Sequence, residues 1–520
     1  MTATDPRSVT GKFPPPAETF QLAVVGAGPA GLAAAIAAAE AGLRVLLIDE
    51  NPVESAQMGL DVPLLYGGRA TAATGRPARM LEQVIASDPG FAEAFDLGVD
   101  VRLGTACWGA FANGPNRQAL PGLLLGLADA ERSWLCGAQR LLLAPGARDL
   151  VLGFPGSDQP GVVGAQAVAA LLGRYDAFAG RRAVVLGSGT LGIETALLLL
   201  ERGIAVAAVI EARDVPQAPT DALDGRGVPV LCGMLPGEAI GGPDGVTALR
   251  LVATDGSPGP LLEADTVVLA VGTVPNVELA QVLGCALAFD ALRGGWVPVL
   301  DADGATSLSM VFIAGDGAGL GDDAAAAGRR AALAAARSLG LAVAEAAPPR
   351  LPAPADAIAY RMDWMRGLIA TGGAGTLVCQ CEEVSRGDLL ELRPPRYLDA
   401  PPPRPVASLG NGGPVHPDQV KRLTRAGMGP CQGRRCREQV AMLLALATDT
   451  PLETIPLASY RAPVRPLPLG LLADTEELAE MAAHWEVWFG IQGQWVPWRD
   501  IGTPREHLDR YGEPVDPGHL

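Results

Sequence analysis

Four cysteines fall in two short loops: Cys379 and Cys381 in "LVCQCEEV", and Cys431 and Cys436 in "GMGPCQGRRC". The pattern is C-x-C, 49 intervening residues, then C-x4-C, in a chain with eight cysteines in all. Four thiolates brought together hold either a tetrahedral zinc ion or an iron–sulphur cluster. Zinc sites favour C-x2-C spacing and clusters tolerate C-x-C, so the expected group is a 2Fe–2S cluster; zinc and four unrelated thiols are the alternatives. Glycines at 427, 429 and 433 keep side chains away, which lets backbone N–H groups reach sulphur and tune its potential. The segment 421–437 adds Lys421, Arg422, Arg425, Arg434, Arg435 and Arg437 without a single acid, in a chain of net charge −17. Positive charge there offsets the negative charge of a thiolate-bound cluster and eases its reduction. A solvated basic helix is the plainer reading of the same run.

A second chemistry lies in the glycines. Gly26, Gly28 and Gly31 form G-x-G-x-x-G directly after the apolar run "QLAVV" and at the start of an Ala-rich stretch. The first glycine permits a tight turn, the second lets backbone approach a pyrophosphate, and the third allows close helix–strand packing. The helix N-terminus then faces the phosphates. Asp49, with Glu50 beside it, ends the next strand and is placed to hold a ribose hydroxyl. Gly187, Gly189 and Gly192 repeat the pattern 161 residues later, with Glu211 at the corresponding strand end. A carboxylate there favours the free diol of NAD over NADP. Glu211 comes eight residues after Gly203, whereas Asp49 comes seven after Gly42, so a retained fold without an occupant stays open.

These turns need strands and helices to position them, and the chain supplies the pieces. Residues 20–50 and 180–214 each read strand, glycine turn, helix, strand; 264–276 reads as a buried strand, and 309–336 as strand, Gly-Asp turn and Ala-rich helix. The expected class is α/β, with two nested Rossmann-type dinucleotide-binding domains and a small helical cysteine domain. A disordered arm is expected over 1–18, one dinucleotide domain over 19–150 and 261–345, and a second over 151–260. A linker then covers 346–375, the cysteine domain 376–445 and a C-terminal extension 446–520. Two Pro-rich stretches, 347–355 and 394–405, read as linker or surface insertion. Ser385, with Asp388 three residues on, starts a helix after the first cysteine pair.

Length, composition and charge limit the function classes. The chain has 520 residues, 49% of them apolar, enough for about three domains. Net charge −17 argues against nucleic-acid binding through phosphates. The N-terminus has no apolar run, and residues 22–39 are too broken by glycine and proline for a membrane span. Clustered thiols then point to a reducing, cytoplasmic setting, with attachment to a membrane's inner face only through a complex.

Two further segments resemble parts of two-dinucleotide-domain flavoproteins. "FIAGD", with Gly315 and Asp316, resembles the strand that returns to an FAD domain and places its Asp against the ribitol and pyrophosphate. "LLLAPGA" (141–147) resembles the turn that closes the first FAD segment, with Pro145 where threonine is usual. The resemblance implies FAD at the first site. No histidine precedes His416 and no lysine lies between 13 and 420, so imidazole acid–base chemistry is missing from the nucleotide domains. Cys107, Cys136, Cys232 and Cys285 are isolated and read as core or surface thiols. With no assigned catalytic residue, the flavin core suggests electron relay.

The order FAD turn, second nucleotide turn, Gly-Asp turn and "CQCEEV…KRLTRAGMGPCQGRRC" carries a more specific resemblance. It resembles the flavoprotein/iron–sulphur subunit shared by hydrogen cyanide synthase, opine oxidase and heteromeric proline or hydroxyproline dehydrogenases. Its cysteine module is similar to bacterioferritin-associated ferredoxin domains. The resemblance implies a 2Fe–2S cluster on Cys379, Cys381, Cys431 and Cys436, and an amino-acid-oxidase-like partner subunit that oxidises an amino acid or opine. A further small iron–sulphur subunit belongs to the same picture. In place of the family's Gly-Gly-Gln beside the flavin, this chain offers "GGR" (67–69) after a longer run. A self-contained NADH-dependent reductase using Glu211, and a zinc-stapled non-enzymatic scaffold, are the rival readings. Trp485, Trp488, Trp495 and Trp498 suggest a tail that either packs on its own chain or docks a partner.

Overall fold

The computed structural model describes residues 15–53, 68–114, 120–321, 323–344, 356–395, 402–413, 415–473 and 503. The N-terminal arm up to residue 14 and the Trp-rich stretch 484–500 lie outside them. Thr19–Val25 pairs in parallel with Val45–Ile48 on one side and with the second half of Ser133–Leu143 on the other. The full order is Asp100–Arg102, Val45–Ile48, Thr19–Val25, Ser133–Leu143, Leu123–Ala128, Ala106–Phe111, with Val311–Ile313 added beside Leu141–Leu143. Val45–Ile48 has every residue buried, as expected of a parallel strand covered on both faces. Helices Pro29–Glu40 and Ala324–Ser338 pack against each other over this sheet. Their alanines and Gly328 let the backbones touch, since a Cβ on Gly328 would fall 1.9 Å from the Ala30 carbonyl. No helix among the described residues is long and apolar enough to cross a membrane.

The second dinucleotide domain is a parallel sheet ordered Val230–Leu231, Ala205–Ile210, Arg182–Leu186, Thr266–Leu269, Val162–Gly164. A three-stranded antiparallel meander, Met234–Gly242, Gly245–Ala253 and Pro258–Glu263, packs beside it. This corrects the expected boundary at 260/261. Thr266–Leu269 lies inside the second sheet, so the chain re-enters the first domain only at Thr273–Pro275, which pairs with Ala147–Asp149. The glycine turn itself does not mark the crossing; two parallel pairings on either side of Thr266–Leu269 do.

The expected linker 346–375 is also corrected, because it contains the helix Ala357–Thr371. That helix buries Tyr360, Trp364, Met365 and Leu368 in the apolar core of the second domain. The cysteine module follows as the hairpin Leu377–Cys379/Val384–Ser385 and the helices Arg386–Leu390, Pro417–Thr424 and Arg437–Ala447. Ser385 and Asp388 form the expected capping box. Val378, Leu389, Val440 and Leu444 share one core with Leu235, Leu249 and Leu269, so the module is fused to the second domain. The chain then doubles back: the Val464 N–H donates to the Trp108 carbonyl at 2.7 Å, and Val464 is buried among first-domain residues.

One side chain joins the two segments of the first domain to the cysteine module. Arg148 is fully buried and lies two residues after the Ala-Pro-Gly turn of the first domain. Its Nη1 donates to Glu278 Oε1 at 2.7 Å and to Asn276 Oδ1 at 2.9 Å, its Nη2 to Glu438 Oε1 at 2.6 Å, and its Nε to the Arg434 carbonyl at 2.8 Å. Arg437 adds a second cation against Glu438 at 3.2 Å and stacks over Tyr460. Burial alone would raise the Glu278 carboxyl, but Arg148 and Arg437 hold it below its usual range. Removing one member strands opposite charges without water. Arg148→Met is therefore expected to cost about 3–5 kcal/mol of stability in urea unfolding. A loss under about 1 kcal/mol would show that this network does not join the domains.

Candidate functional site

The first glycine turn opens onto a cavity of about 540 Å³. Gly26 has φ +104°, and a Cβ there would meet the Ala144 carbonyl oxygen at 2.1 Å; a Cβ on Gly31 would fall 1.7 Å from the Gly26 oxygen. A Cβ on Gly28 would meet nothing within 4 Å and would project into open space. Gly28 also caps helix Pro29–Glu40 without a side-chain bond, so the first N–H groups of that helix are left for a ligand. Asp49 is fixed from two sides: Oδ2 accepts from the Ala27 N–H at 2.6 Å, and Oδ1 from the Asn51 N–H and amide at 2.8 and 2.7 Å. Glu50 pairs with Arg465, and both line the cavity. Pro145, Gly146 and Asp316 line it as well, and burial pushes the Asp316 carboxyl up. Gly315, with φ +68°, turns the chain under Ala30. These donors, carboxylates and shape suit the pyrophosphate and ribose of FAD.

The cavity is also lined by Asn276, Glu278 and Arg434. Arg434 lies between Cys431 and Cys436 in sequence, so the cysteine loop forms part of the nucleotide cavity wall. Cys107 is the one cysteine lining this cavity, and burial pushes its thiol up to about 12. Of the "GGR" segment, Gly68 and Arg69 are described and do not line the cavity: Arg69 Nε donates to the Asp265 carbonyl of the second domain at 2.7 Å.

The second turn repeats the first. The Gly187 N–H donates to the Ile210 carbonyl at 2.8 Å, as the Gly26 N–H donates to the Ile48 carbonyl at 2.7 Å. The extra residue before Glu211 is absorbed by a bulge between Val206 and Ala208, and Glu211 reaches the same station as Asp49. Its surroundings differ. Glu211 is fully buried, and Oε2 accepts from the Ser188 N–H at 3.2 Å, the Ser188 hydroxyl at 2.5 Å and the Tyr360 hydroxyl at 2.7 Å.

The four cysteines of the module meet two by two. Cys379 pairs with Cys436, and Cys381 with Cys431; hydrogen bonding from the partner thiol holds the Cys379 and Cys431 thiols below their usual range. The Gly427 N–H donates to Cys379 Sγ at 3.4 Å, and the Gly433 and Arg435 N–H groups serve Cys431. A Cβ on Gly429 would fall 2.3 Å from that of Cys381, so the loop closes only with glycine there. Arg435 is half-buried beside the four thiols, and its Nε has no hydrogen-bond partner. Among the described residues no three His, Cys, Asp or Glu side chains are set to hold a metal ion. A 2Fe–2S cluster would take two thiolates on each iron, and two thiol pairs beside a cation fit that anion better than one tetrahedral ion.

The basic run 421–437 is not a solvated helix. Arg425 pairs with Glu382 at 2.6 Å, Arg437 joins the buried network, and Arg434 and Arg435 turn inward. Sequence reasoning missed Asn276, Glu278, Arg434 and Arg465 at the cavity and Tyr360 at the second turn. No local pattern marks them, since each arrives from a distant segment.

Residues 20–339 match the pyridine nucleotide-disulphide oxidoreductase family, and residues 416–476 match the sarcosine oxidase A3 domain. An opine oxidase subunit from Agrobacterium tumefaciens (strain Ach5) is 27% identical over 499 residues, covering 87% of this chain and 91% of its own. The HcnB subunit of hydrogen cyanide synthase from Pseudomonas aeruginosa is 28% identical, over 84% of this chain and 97% of its own. The crystal structure of L-proline dehydrogenase from P. horikoshii shares the fold at 20% identity, with a TM-score of 0.58 over 87% of this chain and 79% of that one.

Gly28→Val fills space that the fold leaves open, so the chain should fold normally and lose FAD. We expect affinity to fall by at least about 100-fold in flavin titration, because a pyrophosphate needs that backbone approach. Normal flavin retention in the folded variant would move the cofactor elsewhere.

Proposed function

We propose that this chain, which belongs to the pyridine nucleotide-disulphide oxidoreductase family and is an FAD oxidoreductase, is the electron-transferring subunit of a heteromeric amino-acid or opine oxidase or dehydrogenase. The observation that carries the reading is Arg434, which lines the nucleotide cavity while lying in the loop that carries Cys431 and Cys436. A chain that walls one redox pocket with the ligand loop of another is built to hold two redox groups at fixed separation.

In this reading FAD lies along Gly26, Gly28, Gly31, Asp49, Glu50, Gly315 and Asp316, and a 2Fe–2S cluster is held by Cys379, Cys381, Cys431 and Cys436. When bound, the flavin exchanges two electrons with a donor and the cluster one electron at a time. The chain's own residues orient and enclose. Backbone N–H groups of the helix Pro29–Glu40 face the phosphates, Asp49 fixes the turn, and Gly427, Gly433 and Arg435 direct N–H groups at sulphur. Arg148 fixes the separation of the two sites through the Arg434 carbonyl.

Support for a partner comes from the relatives, which are named as subunits. The cavity supports it from the chemical side: it is lined by carboxylates and arginines, with no histidine or lysine among its lining residues. Substrate oxidation therefore belongs to an amino-acid-oxidase-like partner, and a further small iron–sulphur protein fits the same assembly. A self-contained NADH-fed reductase would need the second turn as a working site, and the burial of Glu211 speaks against it.

Anaerobically purified chain is expected to carry a flavin and about two iron and two labile sulphide per chain. Cys431→Ser should remove the cluster absorbance and leave bound FAD; a normal cluster in that variant would refute the ligand set. The isolated chain should oxidise no amino acid or opine until the partner is added. Turnover by this chain alone would refute the division of labour.

A further inference from the structure

We infer that the second dinucleotide fold is closed by the chain's own helix Ala357–Thr371, with Tyr360 as the residue that excludes a nucleotide by standing where its ribose would bind. The inference goes beyond the proposed function and rests on FAD occupying the first site.

The two turns provide an internal control. Both place a carboxylate on the N–H of the residue after the first glycine, Asp49 on Ala27 at 2.6 Å and Glu211 on Ser188 at 3.2 Å. In a working site the acid at this strand end accepts from ribose hydroxyls. At the second turn a hydroxyl is already there. Tyr360 donates to Glu211 Oε2 at 2.7 Å and accepts from the Ser188 N–H at 3.1 Å, bridging acid and turn. The middle glycine agrees: a Cβ on Gly28 would meet open space, whereas one on Gly189 would meet Gln217 and the Tyr360 ring, each at 3.8 Å. Gln217 itself donates its N–H to the Ser188 hydroxyl at 2.8 Å, covering the face a pyrophosphate would approach.

The helix is held firmly. Arg213 binds Asp356 at 2.7 Å and Asp363 at 2.7 Å and lies over the Tyr360 ring. Tyr360, Trp364 and Leu368 are buried in the core that includes Val440 and Leu444 of the cysteine module. To admit a dinucleotide the helix would have to leave this core, and the module would lose part of its support. The second fold thus serves as a socket for the segment that leads into the cysteine module.

The test is equilibrium titration of the FAD-loaded chain with NADH, read by nucleotide fluorescence. Wild type is expected to show no saturable binding below about 1 mM, an affinity that corresponds to only about 4 kcal/mol. Tyr360→Ala, checked for folding by circular dichroism, should tighten NADH binding at least about tenfold. If that variant does not fold, Asp356→Asn with Asp363→Asn releases Arg213 from the half-exposed end of the helix and should give the same direction of change. A folded variant of either kind that gains no binding overturns Tyr360 and its helix as the gate. Wild-type binding of one NADH that is lost in Glu211→Gln shows an open second site and overturns the inference. Binding indifferent to Glu211→Gln would place NADH in the first site; it would overturn the FAD assignment while supporting closure of the second.

Discussion

A guanidinium withdrawn from water must find its full complement of acceptors, and Arg148 finds them on three separate pieces of chain. It joins the strand after the first flavin segment, the return segment Asn276–Glu278 and the helix Arg437–Ala447, and it also binds the carbonyl of Arg434. None of these contacts is local in sequence. Each is needed, because a buried charge left short of partners costs several kcal/mol. The nucleotide cavity and the thiol loop are fixed relative to one another by that requirement. On the proposed reading, in which electrons pass between the two sites, their fixed separation matters more than any one side chain's reactivity.

The two dinucleotide folds show how little backbone geometry says about occupancy. Their glycines, parallel strands and carboxylates superimpose in role, down to the bulge that brings Glu211 into register. They differ in what the rest of the chain lays over them. The first receives the cysteine loop and the returning segment at Val464 and Arg465, which line the cavity without filling it. The second receives a helix whose tyrosine satisfies both the acid and the turn. A hydroxyl is a hydroxyl to a carboxylate, whether it comes from a ribose or from the protein.

The cysteine module is a case of charge arranged by tertiary contacts. Six basic residues in a short run look like a solvated face, yet the fold assigns them separately. Arg425 goes to Glu382, Arg437 to the buried network, and Arg435 to the thiols. Only the last of these acts on the sulphur atoms.

The sequence alone was enough for what depends on short spacing. The two glycine turns, the strand–helix alternation, the capping box at Ser385 and the two cysteine loops all follow from patterns within about ten residues, where backbone sterics and hydrogen bonding decide the outcome. It also carried the likeness to opine oxidase and hydrogen cyanide synthase subunits, because those patterns occur in a fixed order. Spacing did not reveal the re-entry point after Leu269, the helix hidden in the expected linker, the pairing of thiols across the two loops, or the closure by Tyr360. The reason is common to all four. Each depends on segments from about 50 to 150 residues apart meeting in a dry interior, and burial and the demand for hydrogen-bond partners are properties of the assembled core. Tyr360 and Glu211 lie 149 residues apart, and only the packed fold gives the one to the other.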